Sequence, residues 1–432
     1  MIQLVSRILA ATIVIAVLAG CASSPPPTAH VDYKKRVVTR TKGDVRISVA
    51  VLSAEESEAV YKVPLAEKSI QPVWIEVENR ENRPYYLLSP GLDPNFFPAS
   101  EAAEAFSSNL THDVKAKAEL DQSFRQLAFR NPIPPGATTS GFVLTHLEEG
   151  FKLVHLDLVT NGHAINFSIF TFVPGLRADY NLSEVFNNKI YPDEKIINYT
   201  DDSAFREALE ALPCCATNED GSQNGDPLNL VVVGGLEDAF PALVRRGWSG
   251  TEEKRFSSIM KVMTSALSGE RYRYAPVSDL YVFGRHQDLA LQKARDTIHQ
   301  RNHLRLWLSP MRYHGKQVWV GQISRDIGSR FTTHTPTLTT HKIDPDVDEA
   351  RSALVQDIVY SENLAKIGFV KGVGTALKSA PRANLTTDPY YTDGFRSVLV
   401  FDPEHTSLAA IEFFPWQGLD ERAEQFIGNE DR

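Results

Sequence analysis

Strict alternation of apolar and other residues opens the folded part of the chain. Val45, Ile47, Val49 and Val51 alternate with Arg46, Ser48 and Ala50, and Val73, Ile75 and Val77 alternate with Trp74, Glu76 and Glu78. Period two over such lengths predicts half-buried strands. Turn residues at 79–84 follow, then three further strand-like runs, IPPGATTSGFVLT, FKLVHLDLV and INFSIFTFV. Together they predict an antiparallel β-sandwich over 45–175, closed by Pro174 and Gly175. A helical pattern intrudes, with Ser100 as N-cap before EAAEAF and a recurrence to about Ala128.

From 176 to 227 the pattern is connective. DDSAFREALEAL places Phe205, Ala208, Leu209 and Leu212 on one helical stripe, and NEDGSQNGDP is a loop at which a domain boundary is expected. A second domain is predicted over 228–402. LNLVVVGG is a buried strand running through Gly234 and Gly235 into a helix with Leu236, Phe240, Leu243 and Val244 on one face and Gly247 as its left-handed stop. The glycine spacing matches neither GxGxxG nor a P-loop, so it predicts a tight connection and no nucleotide site. LYVFG, HLRLWLS, QVWVGQIS and SVLVF are strands, and DPDVDEARSALVQDIVY is a helix that Asp344 caps. The fold class is therefore multi-domain: an N-terminal antiparallel β-sandwich followed by an α/β (α+β) mixed-sheet domain, with 403–432 as a C-terminal tail.

The first residues address the chain. Arg7 precedes ILAATIVIAVLAG, which is shorter than the ~20 apolar residues of a spanning helix and ends in small side chains. Leu18-Ala19-Gly20-Cys21 resembles the bacterial lipobox. That resemblance implies removal of a signal peptide, 1–20, and lipidation of Cys21; the alternative is an uncleaved N-terminal anchor. Ser23 to Thr28 is a Pro/Ser tether, and 21–44 is expected to space the body from the bilayer. Each buried acyl methylene contributes about 0.8 kcal/mol, so diacylglycerol plus an N-linked acyl chain such as palmitate holds a protein on a membrane. Ala22 in place of Asp implies, by resemblance to Gram-negative lipoproteins, the outer membrane. PVWIEVENR, PPGATTSGFV and FKLVHLDL resemble the Ig-like domains of such envelope lipoproteins.

Composition changes the picture in two ways. A net charge of -9, from 45 basic and 54 acidic residues without a basic cluster, excludes nucleic acid as the expected partner. The two cysteines besides Cys21 are adjacent, Cys214 and Cys215, a spacing unlike metal sites; a vicinal disulfide, an intermolecular bridge and buried thiols stay open.

His, Arg, Asp and Trp are densest between Pro276 and Arg351. On a strand, His303, Arg305 and Trp307 share one face and Leu304, Leu306 and Leu308 the other. Arg285, Arg301 and Arg305 fit an oxyanion, since a guanidinium grips carboxylate or phosphate bidentately. Equally, they can pair with Asp288, Asp326 and the acids at 344–349 as a structural network. His303, His341, Asp326, Asp344 and Asp348 are ligand types for a divalent metal, but their convergence would depend entirely on the fold, and no cofactor is expected from motif. No G-x-S-x-G elbow is present.

PLNLVVVGG, Trp248, YAPVSDLYVFGR, LALQKAR, RNHLRLW, VWVGQISRDIG and THKIDPDVDEAR resemble the LssY C-terminal domain family over about 227–401. The resemblance implies a bacterial envelope domain of unassigned biochemical function. The family pattern places the acid after HKIDPDVD one position later, so no role passes to Glu349. Two functions follow as expectations. One is a lipid-anchored envelope binding or structural module whose partner is an envelope protein, a lipid head group or a wall component. The other is a lipid- or phosphoester-directed hydrolase centred on His303, Arg305, His341 and Asp344.

Overall fold

Alternation does build the first body, though its strands are buried more fully than their pattern predicts. The computed structural model describes residues 33–107, 113–148, 152–171, 173, 190–250, 279–294, 301–331 and 339–416. The leader, Cys21, the tether to residue 32, Pro174 with Gly175, and 417–432 lie outside the described residues. Strands β1 (Val38–Lys42), β2 (Val45–Val51), β3 (Ile70–Asn79), β4 (Tyr86–Leu88), β5 (Thr138–His146), β6 (Lys152–Thr160) and β7 (His163–Thr171) form two antiparallel sheets, β1-β2-β3-β5 and β4-β6-β7. Between them Val45, Ile47, Val49, Val73, Ile75, Val154, Leu156, Phe167 and Ile169 make one buried core.

The far face of the first sheet is not open to solvent. Helices α1 (Ala54–Tyr61), α2 (Ala99–Glu104) and α3 (Val114–Leu127) cover it, packing Tyr61 and Phe124 on Ala50, Trp74, Phe142 and Leu144. A reciprocal capping box, Ser53 with Glu56, starts α1. In α2 the expected cap is displaced: Pro98 stands at the N-cap with φ -57°, so the chain turns helical two residues early and Ser100 lies inside the first turn.

The second body contains β8 (Ile197–Tyr199), β9 (Cys215–Thr217), β10 (Asn224–Pro227), β11 (Leu230–Val233), β12 (Ser249–Gly250), β13 (Tyr281–Val282), β14 (Arg285–His286) and β15 (Leu289–Ala294). It continues through β16 (Arg301–Tyr313), β17 (Lys316–Phe331), β18 (Thr339–Ile343), β19 (Leu364–Val370), β20 (Arg382–Ala383), β21 (Pro389–Tyr390), β22 (Arg396–Phe401) and β23 (Glu412–Phe413). Its main sheet, of ten strands among the described residues, runs β12-β15-β16-β17-β11-β22-β19-β23, with β8 on β16 and β18 on β17. The sheet is mixed: β11 is antiparallel to β17 and parallel to β22.

Helices α4 (Asp202–Glu210), α5 (Leu236–Arg245) and α6 (Val347–Val359) complete the layers. Leu243, Leu354 and Ile358 of α5 and α6 pack on Leu304, Leu306, Trp319 and Ile323. On the opposite face α4 sets Phe205 and Leu209 on Val231, Val233 and Val398, while the small sheet β10-β9-β13-β14 covers Trp307 and Val320. Thus the stretch read as a connector supplies strands and a helix to this body, and Glu412–Phe413 pairs with β19. Gly247 closes α5 at φ +79°, as predicted. Asp346, not Asp344, caps α6, accepting from the backbone of Asp348 and Glu349, because Asp344 is drawn aside to Arg325.

Two buried polar arrangements fix loops and bodies. Arg396 is fully buried beside α4 and gives its donors to the carbonyls of Leu228 (2.8 Å), Leu209 (2.6 Å), Leu212 (3.1 Å), Pro213 and Gly372 (3.2 Å). Cys214 and Cys215, next in the chain, are joined as a vicinal disulfide. Between the bodies, His155 Nε2 meets Asp157 Oδ1 at 3.0 Å and His155 Nδ1 meets Ser168 Oγ at 2.9 Å. Arg245 of α5 reaches Asp157 Oδ2 at 3.4 Å, and Phe240 packs edge-on against Phe170. Although Ser168, His155 and Asp157 stand in triad order, the carboxylate is shared with Arg245 and His405 and the group is enclosed by α5. It joins the bodies.

Burial holds the His155 imidazole below its ordinary value, against the pull of Asp157. The unfolded chain therefore takes up a proton near pH 6.5 that the folded chain refuses, and stability falls as acid is added. Melting curves are expected to drop between pH 7.5 and 5.5, and His155→Gln, which keeps a neutral donor and acceptor, is expected to flatten that dependence. An unchanged slope in the variant would contradict the assignment.

Candidate functional site

Antiparallel pairing decides which candidates meet. Arg301, His303 and Arg305 of β16 stand directly opposite Asp326, Ser324 and Gln322 of β17. Directly paired residues share a face with Cβ atoms about 4.5–5.5 Å apart. These six lie on the same face as Trp307 and Val320, and all are at most 7% exposed. The expected facing of His303, Arg305 and Trp307 away from Leu304, Leu306 and Leu308 is therefore what forms, but as an interior polar row under the small sheet instead of an open surface. His303 Nε2 meets Asp326 Oδ2 at 2.7 Å, Arg305 Nη1 donates to Gln322 Oε1 at 2.7 Å, and Arg301 Nη1 donates to Gln292 at 3.3 Å.

Loop residues that sequence pattern did not flag complete this row. Asp226, from the end of β10, accepts from Asn384 Nδ2 at 2.9 Å, and Asn384 Oδ1 accepts from the backbone of Asp388 at 2.9 Å. All three are buried. Burial pushes the Asp226 carboxyl up; Arg305 and Asn384 oppose this, while Asp388 and Asp326 reinforce it. Gln322 Nε2 and Trp307 Nε1, both on fully buried side chains, find no hydrogen-bond partner among the described residues. Gln322 was open to detection as the in-register neighbour of Ser324 and Asp326. Asp226, Asn384 and Asp388 carry no local signal, because only the fold brings their loops here.

The remaining candidates stand elsewhere. Arg285 forks onto Asp288 (2.9 and 2.8 Å) and donates to Tyr191 Oη at 2.6 Å, pinning β14 to β16. Asp344 binds Arg325, which also reaches Glu349 at 3.0 Å, on the face turned to α6. Asp348 accepts from Thr392 Oγ1 at 2.7 Å and the backbone of Asp393 at 2.6 Å, beside a buried Arg351 that grips Asp393 bidentately (2.9 and 2.7 Å). Burial pushes the Asp348 carboxyl up, Arg351 pulls it down and Asp393 adds to the push. The backbone of His341 pairs with Ser329, and its side chain lies outside the description. So the acids at 344–349 do form structural ion pairs, but with Arg325 and Arg351 in place of Arg301 and Arg305. Among the described residues no group of three or more His, Cys, Asp or Glu comes together to hold a metal.

Comparison with protein-family models matches residues 206–395 to the family described as LssY C-terminus, starting within α4, ahead of Pro227. No curated protein matches the chain.

Asp226 offers a direct probe of the row. Its folded value lies above the ordinary 3.8, so the folded state keeps an extra proton just above that pH and loses stability as rising pH removes it. Asp226→Asn, which preserves the acceptor for Asn384, is expected to stabilise the protein by on the order of 1 kcal/mol at pH 7. The gain should vanish below pH 3.8 when melting curves are compared.

Proposed function

With residues 206–395 assigned to the LssY C-terminus family, we propose that this protein is an envelope lipoprotein whose second body binds a small polar partner. Cys21 carries the lipid, and the chain stands on the periplasmic face of the outer membrane. The seven-stranded, two-sheet arrangement of the first body supports an Ig-like module acting as a spacer or second contact. The observation that carries the binding reading is the buried amide of Gln322, whose Nε2 makes no hydrogen bond among the described residues within a row of charges. Burying a donor without an acceptor is destabilising, typically by about 1–3 kcal/mol, and such sites are retained where a ligand supplies the acceptor. Beside Arg305 and the Trp307 N–H, the partner would be rich in acceptor oxygens, as a lipid head group or wall saccharide is.

The hydrolase alternative keeps one supporting observation, the His303–Asp326 pair, in which the carboxylate would orient an imidazole base. Asp344, grouped with them on sequence, is committed to Arg325 on the other side of the sheet.

Two measurements test the proposal. Cys21→Ser is expected to move the protein from the membrane pellet to the soluble fraction; retention in the pellet would contradict the anchor. Native mass spectrometry of protein purified from its own envelope is expected to show a small-molecule adduct that Gln322→Glu loses. A wild-type protein without any adduct would argue against the binding module.

A further inference from the structure

The face of the main sheet turned towards α6 carries a second polar row. Lys293 of β15 stands opposite Asn302 of β16, and Asn302 opposite Arg325 of β17. Ser249 pairs with Gln292, so Trp248, one residue earlier, is level with Lys293 at the sheet edge. Helix α6 crosses above this row, and the two enclose a cavity of about 400 Å³ walled by Trp248, Lys293, Asn302, Arg325, Leu354 and Asp357. That volume falls within the range of roughly 300–1,000 Å³ typical of small-molecule sites.

Its polar groups are unevenly distributed. At the Trp248 end, one carboxylate, Asp357, serves two cations: Lys293 Nζ at 2.6 Å and Arg246 at 2.8 Å. Trp248 is only 2% exposed, yet its Nε1–H has no acceptor among the described residues. Indole, ammonium and amide side chains line one end of the cavity, where Lys293 and Arg246 share a single carboxylate, while Asp326 lines it beside Arg325. Ile327 and Leu354 give the rest an apolar wall.

We propose that this cavity binds a small amphiphilic oxyanion, a phosphate or carboxylate seated among Trp248, Lys293 and Asn302, with a short apolar chain along Ile327 and Leu354. An oxyanion supplies the acceptor that the Trp248 N–H lacks and balances the second cation at Asp357. Asp326 borders both this cavity and the Gln322 row, but Lys293 and Asn302 lie on the opposite face of the sheet from Gln322, so variants at these positions test the two sites separately.

Calorimetric titration of the full-length protein in detergent micelles with hexyl phosphate, hexanoate and inorganic phosphate tests the assignment. Hexyl phosphate is expected to bind with one-to-one stoichiometry, at least fivefold more weakly to Trp248→Phe and at least tenfold more weakly to Lys293→Met, and unchanged to Gln322→Glu. In Lys293→Met, Arg246 still pairs with Asp357, and should Trp248→Phe fail to fold, Asn302→Ser takes its place. Inorganic phosphate binding as tightly as hexyl phosphate would identify the free ion as the occupant; a requirement for the alkyl chain would identify a lipid-derived one. Absence of binding by all three probes, or equal affinity in both cavity variants, would overturn the proposal.

Discussion

A guanidinium with no carboxylate in its hydrogen-bond set holds the centre of the second body. Arg396 stands at the start of β22 with its donors spent on carbonyls from α4, the following loop, the approach to β11 and the exit of β19. Burying a charge costs several kcal/mol, and here the return comes from backbone oxygens, among them those at the negative end of α4. Burial lowers the group to about 10, which leaves it charged at neutral pH. Gly372 shows how closely the backbone approaches: a Cβ there would fall 2.3 Å from Nη1, and its φ of +126° already excludes other residues. Four separate segments thus take their positions from one side chain.

The two polar rows have a common origin. Where β15, β16 and β17 run out towards Arg301 and Asp326, polar side chains occupy both faces: Arg301, His303 and Asp326 on one, Lys293, Asn302 and Arg325 on the other. Alternation then forbids one centre, because successive residues of a strand are divided between faces. This is why Arg325 and Asp326, adjacent in sequence, serve different networks, and why Asp344 never meets His303.

Much of the architecture was legible because apolar periodicity is local information. The strands at 45–51, 73–77, 303–308 and 318–323 follow from alternation or apolar runs, and α4 to α6 from stripes and caps. What escaped has physical reasons. β1, with the sequence VTRTK, is an exposed edge strand held by backbone pairing and so shows no apolar pattern. α1 announced itself only through Ser53 and Glu56, a capping box in a segment of weak amphipathicity. The face-sharing of His303, Arg305 and Trp307 was readable; its burial was not, since the covering sheet is assembled from 215–227 and 281–286. Asp226, Asn384 and Asp388 reach the row from loops far apart in the chain, and Arg396 looked like one more polar residue before an apolar run.

The placement of β11 has a consequence for biosynthesis. All seven described strands of the first body have been made by Thr171, whereas Leu230–Val233 must sit between β17 and β22, and the latter ends at Phe401. At about 5–20 residues per second, β11 leaves the ribosome on the order of ten to thirty seconds before its parallel neighbour exists. For that interval β11 is an apolar strand whose β22 edge is unpaired, and until β17 is complete at Phe331 its other edge is unpaired as well. The second body is thus the part most exposed to misassociation during synthesis, and its last long strand is the one that ends the exposure.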